Sequence, residues 1–281
     1  MTPLLFNVPQ SSIEENVSIA LHEDIGDGDI TAQLIPADDI AIASVISREA
    51  CTLCGMDWFD EVFRQIDSEV LIEWLVEDGD SVEAGQTIIS LSGPTRSILT
   101  GERTALNFIQ ILSATATRAA EYAHAVEGTG ASVLDTRKTI PGLRLAQKYA
   151  VTCGGCQNHR IGLYDAVLIK ENHIAAHGSI AGVIEEAFFL YPDTMIEIEV
   201  ENLEQLQQAM QTKVTRVLLD NFNLDELRAA VKLNNGQLQL EASGNVTLET
   251  IRNIAETGVN FISTGALTKD VKAIDLSLCL S

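Results

Sequence analysis

Residues 195–222 read MIEIEVENLEQLQQAMQTKVTRVLLDNF. Two apolar runs, MIEIEV and RVLLD, flank a polar stretch with helical spacing. Asn202 is followed three residues later by Gln205, and Asn223 by Glu226, which suits capping boxes with Asn as the cap. Strand, helix and strand in this order make the two strands parallel, because a hairpin cannot join them. The runs SVLD, DAVLIK, LQLEA and NFIST extend the pattern from Gly130 onward, with the later strands 21–22 residues apart. Six strands are countable, with room for a seventh or eighth. No G-x-G-x-x-G follows the first of them. The expectation is an α/β barrel rather than an open, dinucleotide-binding sheet.

Before this region the chain mixes elements. AIASVIS (41–47) and VLIEWLV (70–76) have strand character, and DWFDEVFRQI (57–66) has helical spacing. Residues 77–93 suggest two extended runs around Gly turns, as in a lipoyl or biotinyl hairpin. A carrier domain needs a modifiable lysine, and no lysine precedes Lys138. A helix predicted from Thr100 to about Val126 joins two domains. The tail 274–281 alternates apolar and polar residues like a half-buried antiparallel strand. The predicted organisation is a mixed α/β domain over 1–112, to which the tail 270–281 returns, and a barrel over 113–269.

The formal net charge of −22 argues against nonspecific binding to nucleic acid or an anionic membrane. No apolar run is long enough to span a bilayer, and the N-terminus has no basic, apolar leader. These features predict a cytoplasmic protein. Five cysteines include two CxxC pairs, Cys51/Cys54 and Cys153/Cys156. The pairs lie too far apart for a zinc ribbon, so the expectation is reduced thiols without a metal.

Against this acidity, the segment from Arg137 to Lys170 holds six of the eighteen basic residues and one acid, Asp165. In a parallel barrel, chemistry sits at the carboxyl ends of the strands. Those ends carry Arg137 and Lys138, then Lys170, then Glu197, Glu199 and Glu201, then Asp220, then Ser243-Gly244-Asn245, then Thr264-Gly265. Period two puts the three glutamates on one face, where they need cations such as Lys170, Arg137 or a metal. The expectation is a functional role for these carboxylates; the alternative, a structural ion-pair network inside the barrel, weighs more for Glu197 than for Glu199 or Asp220. Two late glycine turns with free N–H groups make a phosphate cradle. Arg137, His159, Arg160 and Lys170 make a cationic bowl for a strongly anionic substrate, since guanidinium groups grip carboxylates and phosphates bidentately.

The strings GERTALN (101–107), LDTRKTIPGLR (134–144), NHRIGL (158–163), LIKENH (168–173), IEVEN (198–202), LLDNF (218–222), EASGNV (241–246) and TGALTKDVKAIDLSL (264–278) occur in this order. With them the chain closely resembles the quinolinate phosphoribosyltransferases. The resemblance implies transfer of a phosphoribosyl group from 5-phosphoribosyl 1-diphosphate to quinolinate with decarboxylation, using Mg²⁺. It implies an incomplete TIM-like α/β barrel with an N-terminal α/β sandwich domain rejoined by the tail, and a homodimer, or an assembly of dimers, with Arg103 donated across the interface. Arg103, Arg137, His159, Arg160 and Lys170 are then the dicarboxylate ligands, and Thr136 and Lys138 serve the diphosphate side. Glu199 and Asp220 face the ribose and the Mg²⁺, possibly through water, and with Lys138 make up the implied catalytic set. Ser243, Gly244, Asn245, Thr264, Gly265 and Lys269 are the implied phosphate contacts. Two rivals are a relative acting on nicotinate without decarboxylation and a silent binding protein of the same fold. The cations favour a dicarboxylate, and retention of Glu199, Asp220 and Arg137/Lys138 speaks against the silent protein.

Overall fold

The computed structural model describes residues 6–281. In chain order the elements are α1 (Gln10–Ile25), β1 (Ile40–Ser47), β2 (Cys51–Thr52), α2 (Met56–Ile66), β3 (Leu71–Trp74), β4 (Ser81–Val82), β5 (Thr87–Pro94) and α3 (Thr95–Ala125). There follow β6 (Ser132–Leu134), α4 (Arg144–Cys153), β7 (Val167–Ile169), α5 (Glu171–His177), α6 (Ile180–Leu190), β8 (Ile196–Val200) and α7 (Leu203–Ala209). The last are β9 (Arg216–Asp220), α8 (Leu224–Asn234), β10 (Gln239–Ser243), α9 (Leu248–Ala255), β11 (Phe261–Ser263), α10 (Ala266–Lys269) and β12 (Leu276–Leu280). They form two compact units. The first comprises Met1–Ala120, Thr139–Gly155 and Asp270–Ser281, and the second Glu121–Lys138 and Cys156–Lys269.

The first unit is built on a four-stranded antiparallel sheet in the order β12-β1-β5-β3. The tail strand β12 pairs with β1, Leu276 opposite Ser47 and Leu280 opposite Ala43. The apolar stripe of α2 (Trp58, Phe59, Val62, Phe63) joins one buried cluster with Ile98, Leu106, Ile109 and Leu112 of α3. Phe59 meets Trp74 of β3 edge to face at 5.3 Å, a favoured aromatic geometry.

The unit boundaries differ from those predicted. The break falls at Ala120 rather than 112, and residues 139–155 belong to the first unit. The cause is α4, whose Ala146 and Ala150 are fully buried in that unit's core. Tyr149 of the same helix lies 5.9 Å from the Trp58 ring. Two of the six clustered cations, Arg144 and Lys148, therefore stand on a helix of the first unit, and Lys148 is fully buried.

In the second unit six parallel strands pair in the order β6-β11-β10-β9-β8-β7. From β7 to β11 sequence neighbours are spatial neighbours, and the first strand pairs with the last, Leu134 beside Ser263. That order is the one a barrel has, with a single gap between β6 and β7. Gln157 adds an isolated parallel bridge to Leu134 on the other side of β6. The ladder stays open between Gln157 and β7, so the barrel is incomplete. Asn202 and Asn223 cap α7 and α8 as their spacing predicts: their side chains accept from the N–H groups of Gln205 and Glu226.

Candidate active site

Strand register sets the site. Ile169 of β7 pairs with Ile198 of β8. The next residue of each strand is Lys170 and Glu199, and their side chains meet with Nζ 2.6 Å from Oε2. Leu134, Ser263, Ser243 and Asp220 form one row across β6, β11, β10 and β9. One residue beyond that row the chain leaves the strands. There lie Asp135, Thr264, Gly244 and Asn221.

Two of those turns require particular backbones. Gly244 has φ +101°, and a Cβ there would sit 2.1 Å from Oδ1 of Asn221. Asn221 and Asn245 also adopt positive φ, a region Asn tolerates better than most residues. Gly265 allows close approach of the opposite rim: an added Cβ would meet Lys138 Cδ at 2.8 Å and Thr136 Oγ1 at 3.4 Å. The hydroxyl of Thr268 donates to the Lys138 carbonyl at 2.8 Å. Thr136, Lys138, Gly265 and the α10 turn ending at Lys269 thus adjoin. The Thr264 hydroxyl accepts the Ala266 N–H.

The cations divide by environment. Arg137 is half-buried, and its Nε is buried without a hydrogen-bond partner. Burial, and after it the Arg137 charge nearby, pull Arg160 below the usual arginine range. Lys138 is exposed and makes no ion pair among the described residues. Two confronted guanidinium groups, one with an unused buried donor, form a receptor for an anion. Beside them Asp220 is half-buried; its Oδ2 accepts from the Asn221 amide, and its Oδ1 accepts nothing.

His159 turns away from the predicted bowl. Its Nε2 lies 3.0 Å from Glu197 and 3.5 Å from Glu241, and its Nδ1 accepts the Arg160 N–H at 2.7 Å. Asp135, fully buried, fixes this loop by accepting the His159 N–H and the Asn158 amide. Both ring nitrogens are therefore engaged inside the barrel, and what His159 offers the mouth is its ring and the placement of Arg160.

Below the mouth lies a second charged layer. Arg216 extends between Glu197 (Nε to Oε1, 3.2 Å) and Glu241 (Nη2 to Oε2, 2.5 Å). Its guanidinium stacks 3.9 Å above the Phe261 ring. Both glutamates are fully buried. Burial, reinforced by Glu197, pushes Glu241 up to about 7. Burial opposes the charged form of His159, but Glu197 and Glu241 more than offset it and its pKa rises. Glu197 is thus part of a structural network with Arg216 as its cation and His159 Nε2 as a second close partner, not the expected Lys170 or Arg137. Glu201 leaves the face altogether: β8 ends at Val200, and Glu201 is exposed. Arg216 was missed in the sequence, although it starts a strand whose same-face residues Leu218 and Asp220 point to the lumen.

Arg103, also expected in the site, stands on α3 in the first unit. It is exposed and makes no ion pair among the described residues.

The chain matches the family described as "Quinolinate phosphoribosyl transferase, C-terminal domain" over residues 115–279 and the corresponding N-terminal domain over residues 29–113. A solved structure, the nicotinate-nucleotide pyrophosphorylase from Francisella tularensis, superposes with a TM-score of 0.97 at 49% identity, covering all of both chains. The probable nicotinate-nucleotide pyrophosphorylase [carboxylating] of Bacillus subtilis is 40% identical over 91% of this chain and 89% of its own. The chloroplastic nicotinate-nucleotide pyrophosphorylase [carboxylating] of rice is 39% identical over 96% of this chain and 78% of its own.

Proposed function

The chain belongs to the quinolinate phosphoribosyltransferase family, and from that premise we propose that it joins quinolinate to 5-phosphoribosyl 1-diphosphate. The products are nicotinate mononucleotide, diphosphate and carbon dioxide, a step of NAD biosynthesis. The observation that carries the reading is the pair Arg137 and Arg160. In a chain of net charge −22, these two cations lie near enough for the Arg137 charge to depress Arg160 after burial has done so, and neither has an ion-pair partner among the described residues.

A pyridine dicarboxylate supplies the anions this pair lacks. Arg137, Arg160 and Lys170 hold its two carboxylates and aim the ring nitrogen at the ribose carbon that loses diphosphate. His159 sets the backbone and orientation of Arg160 from beneath. Ser243, Gly244 and Asn245 offer turn N–H groups to a phosphate, and Thr136, Lys138, Thr264, Gly265 and Lys269 receive phosphate on the opposite rim. Glu199 and Asp220 face the ribose, where their charge favours the cationic character that develops as diphosphate leaves. The nitrogen's new bond makes a pyridinium, which accepts the electron pair released when the adjacent carboxylate departs.

Glu199 and Asp220 do not converge with a third ligand, which suits Mg²⁺ held through water and substrate phosphates rather than in a protein cage. The open Asp220 Oδ1 is available to such a hydrated ion. When bound, Mg²⁺ neutralises charge on the departing diphosphate.

The decisive experiment mixes the purified protein with quinolinate, phosphoribosyl diphosphate and Mg²⁺ and follows nicotinate mononucleotide and carbon dioxide. Product from nicotinate but not quinolinate, or binding without turnover, would reject the reading. The exposed, unpaired Arg103 supports a homodimer, or an assembly of dimers, in which it enters a neighbour's site. Mixed dimers of Arg103→Ala and Lys170→Ala subunits should then recover activity that neither variant has alone, because one site per dimer is intact. Absence of recovery would exclude a shared site.

A further inference from the structure

One cysteine from each CxxC motif, Cys54 and Cys153, meets the other within the first unit, although they stand far apart in sequence. Cys54, at the end of the β2 segment, has its Sγ 3.7 Å from Sγ of Cys153, the last residue of α4. Asp78, between β3 and β4, completes a group whose ligand atoms all lie within 4.8 Å of one another. All three residues belong to the same compact unit.

The surroundings are arranged as a ligand set. Cys54 is pinned through its backbone: its N–H donates to the Ser113 hydroxyl at 3.0 Å, and its carbonyl accepts from that hydroxyl at 3.2 Å. Tyr149 and Cys153 are four residues apart on α4, so they share a helix face. The Tyr149 hydroxyl donates to Oδ2 of Asp78 at 2.8 Å. Oδ1 accepts the N–H groups of Gly55 and Met56 at 2.9 and 3.3 Å. That leaves Oδ2 with an unused lone pair. A carboxylate oriented by hydrogen bonds in this way is the usual outer-shell arrangement of a metal ligand.

Charge is the second observation. Cys54, Asp78, Cys153 and Tyr149 are four acidic groups, and none of them meets a Lys, Arg or His side chain among the described residues. Buried acids ordinarily find a basic partner. The spacing of the sulfurs also discriminates. Two thiolates on one tetrahedral zinc, each about 2.3 Å from it, lie about 3.8 Å apart.

We propose that Cys54, Cys153 and Asp78 form a binding site for one soft divalent cation of the zinc class, with water in the fourth position. Cys153 and Asp78 are half-buried, which gives the ion an entry from solvent. Binding releases the two thiol protons to the buffer and involves no redox change. Thiolate ligands select zinc over magnesium, so this site is distinct from the carboxylates of the barrel mouth.

The test uses the full-length protein stripped with a chelator and then reduced. Zn²⁺ titrated against a chromophoric competitor should bind at one equivalent per chain and survive gel filtration. Co²⁺ in its place should give thiolate-to-cobalt charge-transfer absorption. Cys153→Ser should abolish that band, Asp78→Asn should weaken Zn²⁺ binding at least tenfold, and Cys51→Ser should leave both unchanged. None of these readouts depends on phosphoribosyl transfer. The proposal is overturned if the wild type takes up no stoichiometric Zn²⁺, or if the cobalt band survives in Cys153→Ser. It is also overturned if only a Cys54–Cys153 disulfide accounts for protection of the two thiols.

Discussion

Two charged sets occupy the barrel, linked on β8 where Glu197 and Glu199 stand two residues apart, and they behave oppositely. In the lower layer Arg216 and His159 meet Glu197 and Glu241, two possible positive charges against two negative ones, all within bonding reach. In the upper layer Arg137 keeps an unpartnered Nε, Lys138 has no ion pair, and Arg160 shares space with a second guanidinium. Only Lys170 and Glu199 are matched. Residue type does not distinguish the layers, since both are made of Arg, Glu and a third charged group. Pairing does: Glu197 and Glu241 each have Arg216 and His159 within 3.5 Å, whereas Arg137 and Lys138 have no ion pair among the described residues. A paired charge set holds strands together, whereas an unpaired one awaits a ligand.

The largest effect that would sharpen the contrast is expected at Arg160. Arg160→Ala removes half of the confronted pair, and its lost partner is substrate rather than protein. Turnover measured as kcat/KM for quinolinate should fall about 1,000-fold or more, roughly 4 kcal/mol of transition-state binding. Thermal stability should hold or rise, because a repulsion is relieved. A large loss of melting temperature with little kinetic effect would show that the upper layer is as structural as the lower.

The converse applies to Arg216. Arg216→Met leaves Glu197 and Glu241 facing each other inside the barrel without their guanidinium. Removing one partner of a buried pair costs about 3–5 kcal/mol, visible in urea unfolding. Adding Glu241→Gln to this variant should recover part of the loss, since the uncompensated charge is reduced. If Arg216→Met unfolds like the wild type, the lower layer does not hold the strands.

Much of this contrast was legible in the sequence, and the limits are physical. Repeating strand–helix units and Asn caps are local signals, so the parallel barrel and the starts of α7 and α8 followed from them. Glu199 and Asp220 were recognisable because strand ends are where a barrel keeps its polar groups. The ten-residue helix α4 carries no local mark of its destination; only the core around Trp58 and Phe59 decides it, and with it the removal of Arg144 and Lys148 from the cationic cluster. The inward turn of His159 depends on Asp135 taking its N–H, a contact that no periodicity reveals. The meeting of Cys54 with Cys153 is equally nonlocal. Arg216 is different: an arginine at the start of an apolar strand, on the lumen face, was a readable signal of a buried counter-charge.

The smallest effect separates the layers by pH. Glu241, pushed up to about 7 in the folded protein from an ordinary 4.5, binds more protons folded than unfolded between those values. Stability from this group is therefore greatest below about 4.5 and declines as pH rises through 7. His159, also raised, adds a decline in the same direction above its ordinary value. The summed change for Glu241 alone is at most about 3 kcal/mol, by the 1.36 kcal/mol per pKa unit conversion. Melting temperatures of the wild type and Glu241→Gln, measured from pH 5 to 8, should converge at low pH. The variant should pull ahead at high pH, because its amide has no proton to lose. Arg160→Ala, from the upper layer, should follow the wild-type slope; if it flattened the slope as Glu241→Gln does, the two layers would be one electrostatic unit rather than a scaffold beneath a receptor.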